Sequence, residues 1–227
     1  MAKKVAIITA GGSGTRMGVS TPKQFLLLNN KPLLWYTLNA FYEAFSDISI
    51  ILVLPSDYLS QGKELVAEMG KEDFVSIVAG GQTRFHSVKN GVDLLDMESI
   101  VFVHDGVRCL VTPDLIRACY EQASKLGSAI PVVSATDSIR IVDINSGHSA
   151  IDRNLVKIVQ TPQTFKSELL ISAFNLAYQN SFTDEATVVE FSGKKTFLIE
   201  GDYDNLKITR PVDLLLAESI LQKRKSS

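Results

Sequence analysis

The chain has 227 residues, 45% of them hydrophobic and 21% charged, with a formal charge of −2. These are the proportions of a globular protein with one sizeable core, and the near balance of charge offers no electrostatic footing for a nucleic-acid partner. Lys3-Lys4 precedes an apolar stretch too short for a signal peptide, and no run approaches the ~20 apolar residues of a membrane span, so neither export nor a membrane partner is expected.

In chain order, short β-branched runs alternate with longer amphipathic ones, the pattern of an α/β protein. Strands are predicted at Val5 to Thr9, Ile48 to Leu54, Val75 to Ala79, Ile100 to His104 and Ala129 to Val133. Each is nearly continuous in apolar residues, as strands covered on both faces are, which implies a mostly parallel central sheet. Helices are predicted between them at Leu33 to Phe45, Tyr58 to Met69, Arg84 to Leu95 and Pro113 to Leu126, the last with Thr112 as N-cap. The alternation then breaks. Ser138 to Asp143, Asn145-Ser146-Gly147 and Ser149 to Val156 read as strand, turn and strand with polar residues on both faces, a hairpin projecting from the body. An exposed two-stranded ribbon is marginal alone, so a homodimer through this arm, at about 137–158, is expected. The remainder reads as helix Lys166 to Tyr178, helix Asp184 to Phe191 capped by Thr183, strand Thr196 to Glu200 and helix Pro211 to Gln222, completing a single domain over 1–227. Cys109 and Cys119 form neither a Cys-x-x-Cys pair nor a dense framework, which fits free thiols in a reducing, cytoplasmic compartment.

The chemistry begins directly after the first strand. Ala10, Gly11, Gly12 and Gly14 make a loop in which backbone N–H groups can approach an anion closely, and Arg16 and Lys23 add two cations. A Walker loop would end in Gly-Lys-Ser/Thr, where this one reads Gly14-Thr15-Arg16; a dinucleotide fingerprint would place a third small residue at Met17. A cradle with two cations suits a triphosphate whose own phosphorus is attacked. His86, His104 and His148 form no evident triad with a serine or cysteine, and His104 reads as a satisfied histidine at a strand end. Asp105 follows that strand, where open α/β sheets present ligands, and is the first metal candidate; Arg108 is placed to pair with Asp105 or with a phosphate.

Seven motifs in register resemble the 2-C-methyl-D-erythritol 4-phosphate cytidylyltransferase family. They are Ala10-Gly11-Gly12-x-Gly14-x-Arg16-Met17-Gly18 with Pro22-Lys23-Gln24, Gly80-Gly81-x-x-Arg84-x-x-Ser87-Val88, His104-Asp105-x-x-Arg108, Ile151-Asp152-Arg153-Asn154, Thr161-Pro162-Gln163, Thr183-Asp184-Glu185-Ala186 and Asp204-Asn205-Leu206-Lys207-Ile208-Thr209-Arg210-Pro211. The resemblance implies a Rossmann-like body, a dimer with interlocked arms, and transfer of CMP from CTP to methylerythritol 4-phosphate with release of pyrophosphate, in non-mevalonate isoprenoid synthesis. It assigns Arg16 and Lys23 to the α-phosphate and leaving group, and Arg153 and Lys207 to the incoming phosphate. Cytosine falls near Ala10, Gly11, Gly81 and Ser87, while Thr183 and Ser138 fall at substrate-contacting positions. The acceptor phosphate is largely a dianion at neutral pH and needs no protein base, so cations and Mg²⁺ carry the catalysis, with Asp204 as a second metal candidate beside Asp105.

The residues also depart from the family pattern. Gly11-Gly12 stands for the more usual Ala-Gly, Gly106-Val107-Arg108-Cys109 for Ala-Ala-Arg-Pro, Ser138 for threonine, and Gln82 for an acid. The double glycine is also a feature of ribitol 5-phosphate cytidylyltransferases, which stand as the alternative; a non-catalytic nucleotide-binding regulator is the alternative from another class.

Overall fold

The computed structural model describes residues 2–11, 22–96, 98–143 and 147–226. Its first strand, β1 (Lys3–Thr9), leads to a small antiparallel pair, β2 (Leu27–Leu28) and β3 (Lys31–Pro32), and then to α1 (Leu33–Ala44). Three βα alternations follow: β4 (Ser49–Leu54) and α2 (Leu59–Glu68), β5 (Val75–Ala79) and α3 (Arg84–Val92), β6 (Ser99–Asp105) and α4 (Pro113–Leu126), then β7 (Ser128–Ser134). The arm comprises β8 (Ile139–Asp143) and β9 (Gly147–Ile151). The chain returns through β10 (Lys157–Val159), β11 (Gln163–Lys166), α5 (Ser167–Phe174), α6 (Glu185–Phe191), β12 (Leu198–Glu200) and α7 (Pro211–Ser226).

β6, β1, β4 and β5 pair in parallel, in that order. β11 enters antiparallel between β6 and β7; β10 continues along the same edge of β7, and β12 lies parallel on the opposite edge. The result is the expected α/β, mostly parallel Rossmann-like sheet with helices on both faces. Period-two alternation sorts each strand between two cores. Ala6, Ile8, Leu52 and Phe102 face α1, α2 and α4, while Val5, Ile7, Val53 and Val103 face α3, α5 and α6. A third cluster, from Leu28, Leu33, Leu110, Ile208 and Ala217, seats α7 at one end of the body. Among the described residues no helix is long and apolar enough to cross a membrane.

Local signals work where expected. The Thr112 hydroxyl accepts the Leu115 N–H to open α4, Pro113 occupies the first turn, and Gly127 closes the helix in the left-handed region at φ 97°. Three readings need correction. α6 is capped by Asp184, whose Oδ1 accepts the Thr187 N–H at 2.9 Å, because a carboxylate accepts more strongly than the Thr183 hydroxyl preceding it. The arm's second strand ends at Ile151 rather than Val156, as the Asp152 carboxylate turns the chain into a 3-10 turn at Arg153–Leu155 before β10 rejoins the sheet. Arg153 therefore lies in the turn after the ribbon, not on it. β11, inserted in the middle of the sheet, was predicted as neither strand nor edge; its sequence Gln-Thr-Phe-Lys carries no apolar run.

Candidate functional site

The parallel strands β1, β4, β5 and β6 end on the same side of the sheet, and the loops leaving three of them build a cavity of about 330 Å³. Thr9, Ala10 and Gly11 come from the end of β1; Gly81, Gln82, Thr83, Arg84 and Ser87 from the β5–α3 connection; Asp105 and Val107 from the end of β6. Lys23 and Gln24 close it from one side, and Lys207, Ile208 and Thr209 from a strap preceding α7. Backbone hydrogen bonds lock these pieces to the sheet: Ala10 N–H to Val53 O, Gly80 N–H to Leu54 O, Gly106 N–H to Thr9 O and Ile208 N–H to Val107 O, all 2.7–3.0 Å. Gly106 suits its place because a Cβ there would lie 2.9 Å from Ala10 Cβ, which accounts for the departure from alanine.

Asp105 is the hub. Its Oδ1 receives Arg84 Nε at 3.3 Å and Nη2 at 3.2 Å, and its Oδ2 lies 2.9 Å from Lys207 Nζ and 3.5 Å from Arg108 Nε. Burial opposes ionisation of this carboxyl, but Arg84, Lys207 and then Arg108 outweigh it and hold it well below the usual carboxylate range. Behind it, His104 Nε2 lies 3.2 Å from Arg108 O and Nδ1 2.9 Å from Thr161 Oγ1. A carbonyl only accepts, so Nε2 carries the proton and Nδ1 accepts from the Thr161 hydroxyl, whose oxygen in turn accepts the Asp105 N–H at 3.1 Å. Complete burial pushes His104 down to about 3, so it is neutral and structural, as its place at a strand end implied.

A second cavity of about 290 Å³ adjoins the first and shares Arg84, Asp105 and Lys207 with it; its lining also includes Arg108, Gln160, Thr161, Gln163, Thr183 and Asp184. Arg84 is the functional residue the sequence reading left without a role. Its guanidinium is bidentate to Glu185, with Nη2 to Oε2 at 3.1 Å and Nη1 to Oε1, while also reaching Asp105. Glu185 is 1% exposed; burial pushes its carboxyl up, and Arg84 counters that rise. The available signal was position: Arg84 opens the helix that follows a Gly-Gly turn at a strand end.

The structure thus brings together Ala10, Gly11, Lys23, Gly81, Ser87, Asp105 and Lys207 in one cavity, and Arg108 and Thr183 with Asp105 and Lys207 in the next. The Ser87 hydroxyl already holds the turn, accepting the Gly81 N–H at 3.1 Å and donating to Thr83 O at 3.0 Å. Gly12, Gly14 and Arg16 lie outside the described residues. Ser138, Arg153 and Asp204 line neither cavity. Arg153 is exposed and donates to Thr136 O at 2.8 Å, and Ser138 is exposed at the foot of the arm. Asp204 does not share a cavity lining with Asp105; it sits in a tight turn where its N–H donates to Asp202 Oδ1 at 2.8 Å. Among the described residues no group of three or more His, Cys, Asp or Glu side chains could hold a metal by itself. Cys109 and Cys119 are free and buried, and burial pushes both thiols up to about 12, which removes them as nucleophiles.

A Rossmann-like sheet whose strand-end loops and strap gather Arg84, Arg108 and Lys207 around one carboxylate, Asp105, with two cavities meeting there, defines an α/β protein with a cation-lined ligand site. The chain matches the family model for IspD, 2-C-methyl-D-erythritol 4-phosphate cytidylyltransferase, over residues 4–223. It belongs to that family of nucleotidyltransferases. It is 42% identical to the enzyme of that name from Bacteroides fragilis, over 96% of this chain and 99% of the relative, and 43% identical to that from Bacteroides thetaiotaomicron, over 96% and 100%. Among solved structures it is similar to 4-diphosphocytidyl-2C-methyl-D-erythritol synthase from Anaerococcus prevotii (TM-score 0.84, 29% identity, 97% of this chain and 96% of that one). It is also similar to the Francisella tularensis 2-C-methyl-D-erythritol 4-phosphate cytidylyltransferase (TM-score 0.79, 30% identity, 96% and 99%).

Proposed function

We propose that this chain transfers CMP from CTP to 2-C-methyl-D-erythritol 4-phosphate. A phosphate oxygen of the acceptor attacks the α-phosphorus, the bond from that phosphorus to the oxygen bridging to the β-phosphate breaks, and pyrophosphate leaves. Isoprenoid precursor synthesis by the non-mevalonate route is where family membership puts the reaction. The observation that carries the reading is the meeting of two cavities at Arg84, Asp105 and Lys207, which gives two anions one shared, cation-lined boundary. Because the acceptor's second pKa is near 6, no base is required, and alignment and charge neutralisation dominate.

Lys23 and the glycine turns serve the triphosphate, with Arg16 assigned to the same task. Lys207 stands between donor and acceptor, while Arg108 and Thr183 face the acceptor. Asp105 is the carboxylate that would hold Mg²⁺ together with phosphate oxygens, a donor set that suits an ion usually bound by one or two carboxylates plus substrate; the metal would supply neutralisation of the leaving pyrophosphate. Arg153, absent from both cavities of its own chain, reaches the site of a second copy in a homodimer formed through the arm. Exposed Ile141, Val142, Leu155 and Ile158 on and beside that arm support an apolar partner surface. Two buried free thiols suit the cytoplasm.

The test is pyrophosphate release from Mg·CTP with each of two acceptors. Turnover with methylerythritol 4-phosphate at a kcat/KM at least tenfold above that with ribitol 5-phosphate is expected; the reverse ratio, or no release with either, would contradict the reading.

A further inference from the structure

Gln24 follows Lys23 in the same 3-10 turn, and its side chain is 0% exposed although it belongs to the lining of the larger cavity. Among the described residues neither Nε2 nor Oε1 of its carboxamide has a hydrogen-bond partner. Burying an amide with both ends unpaired costs free energy that an apolar side chain of similar volume avoids, and native proteins rarely leave such groups without a partner. Among the described residues no packing contact calls for a carboxamide here: the next residue, Phe25, is part of the hydrophobic core.

The cavity around it selects the kind of partner. Lys23, Arg84 and Lys207 line the same space against a single carboxylate, Asp105, an excess of positive charge that favours an anion, and a carboxamide NH₂ offers two donors fixed in a plane. We propose that Gln24 is a substrate-binding residue whose amide N–H donates to a phosphate oxygen of the bound nucleoside triphosphate. This rests on the reading of the cavity as the CTP site. Lysine supplies charge with little directional demand, and the adjacent amide supplies direction, so the pair fixes the phosphate's orientation as well as its presence. A bound phosphate then supplies the partner that the described protein groups do not.

The test measures two quantities on the full chain: Kd for Mg·CTP by calorimetry, and the melting temperature of the free protein, for wild type and Gln24→Met. Donation to a phosphate is expected to show as a ~10–100-fold weaker Kd in the variant, with a free-protein melting temperature equal to or above wild type. Wild type and variant binding CTP within twofold of each other would overturn the role of Gln24 alone. A lower melting temperature in the variant would equally overturn it, since the carboxamide would then have a partner inside the protein. Wild type failing to bind CTP would overturn the nucleotide reading and this inference with it. Should Gln24→Met not fold, Gln24→Glu keeps the shape and turns the donor into a repelling acceptor; its Kd loss should exceed tenfold, and an unchanged Kd would overturn the proposal.

Discussion

Lys207 Nζ and Asp105 Oδ2 lie 2.9 Å apart, joining the strap before α7 to the end of β6. The two satisfy one another. Lys207 is 44% exposed on its side chain, so the pair contributes little to stability, and its position on the wall shared by both cavities gives it a different task. Lys207→Ala should lower kcat by roughly 10²–10³-fold while moving the melting temperature little. Steady-state kinetics beside a thermal melt checks this, and an unchanged kcat would remove Lys207 from the reaction.

Arg84 and Glu185 make the opposite kind of pair. Glu185 is buried, so Arg84→Met leaves a carboxylate without its cation and should cost about 3–5 kcal/mol in urea unfolding. The double variant Arg84→Met/Glu185→Leu should recover most of that loss, since no unpaired charge remains. Equal losses in single and double variants would show that the pair is not what Arg84 contributes to stability.

His104 sets an acid limit on the fold. Its folded value, about 3, lies below the 6.5 of an unconstrained histidine, so between those values the unfolded chain binds the extra proton. The stability it contributes is full above pH 6.5 and is lost as pH falls toward 3, by an expected amount on the order of a few kcal/mol. Unfolding free energies measured from pH 7 to 4 should slope accordingly, and His104→Gln should flatten that slope. An identical slope in the variant would place the acid sensitivity elsewhere.

The arm allows a complementation test. Inactive Lys23→Ala and Arg153→Ala proteins are mixed and allowed to exchange subunits; if the chain forms the proposed homodimer and Arg153 acts across it, half of the population is heterodimer with one intact site each. About a quarter of wild-type activity should return. Activity no higher than the separate variants would confine Arg153 to its own chain.

Much of this was legible in the sequence, for physical reasons. β1, β4, β5, β6 and β7 announce themselves because a strand covered on both faces must be apolar at every position. β11 does not, because its polar side chains work inside the molecule: Gln163 accepts the Ala186 N–H at 2.8 Å and donates to Asp184 Oδ2 at 3.0 Å, bracing the start of α6. The glycine loop, Lys23 and Asp105 could be singled out by residue type and position, and Lys207 through the family resemblance. The Arg84–Glu185 pairing could not, since the two lie far apart in the chain and only the fold brings the first residues of α3 and α6 to the same place. Nor could the lack of a partner for Gln24 among the described residues, because an amide's pairing is defined by its surroundings and not by its neighbours in sequence.

The transfer itself is read most directly by ³¹P NMR of the enzyme with Mg·CTP and methylerythritol 4-phosphate. Two mutually coupled diphosphate doublets should grow in, matched by loss of CTP and by an equal rise of pyrophosphate. CTP converted to CMP and pyrophosphate with the acceptor unchanged, or CTP left intact, would contradict CMP transfer as the reaction of this site.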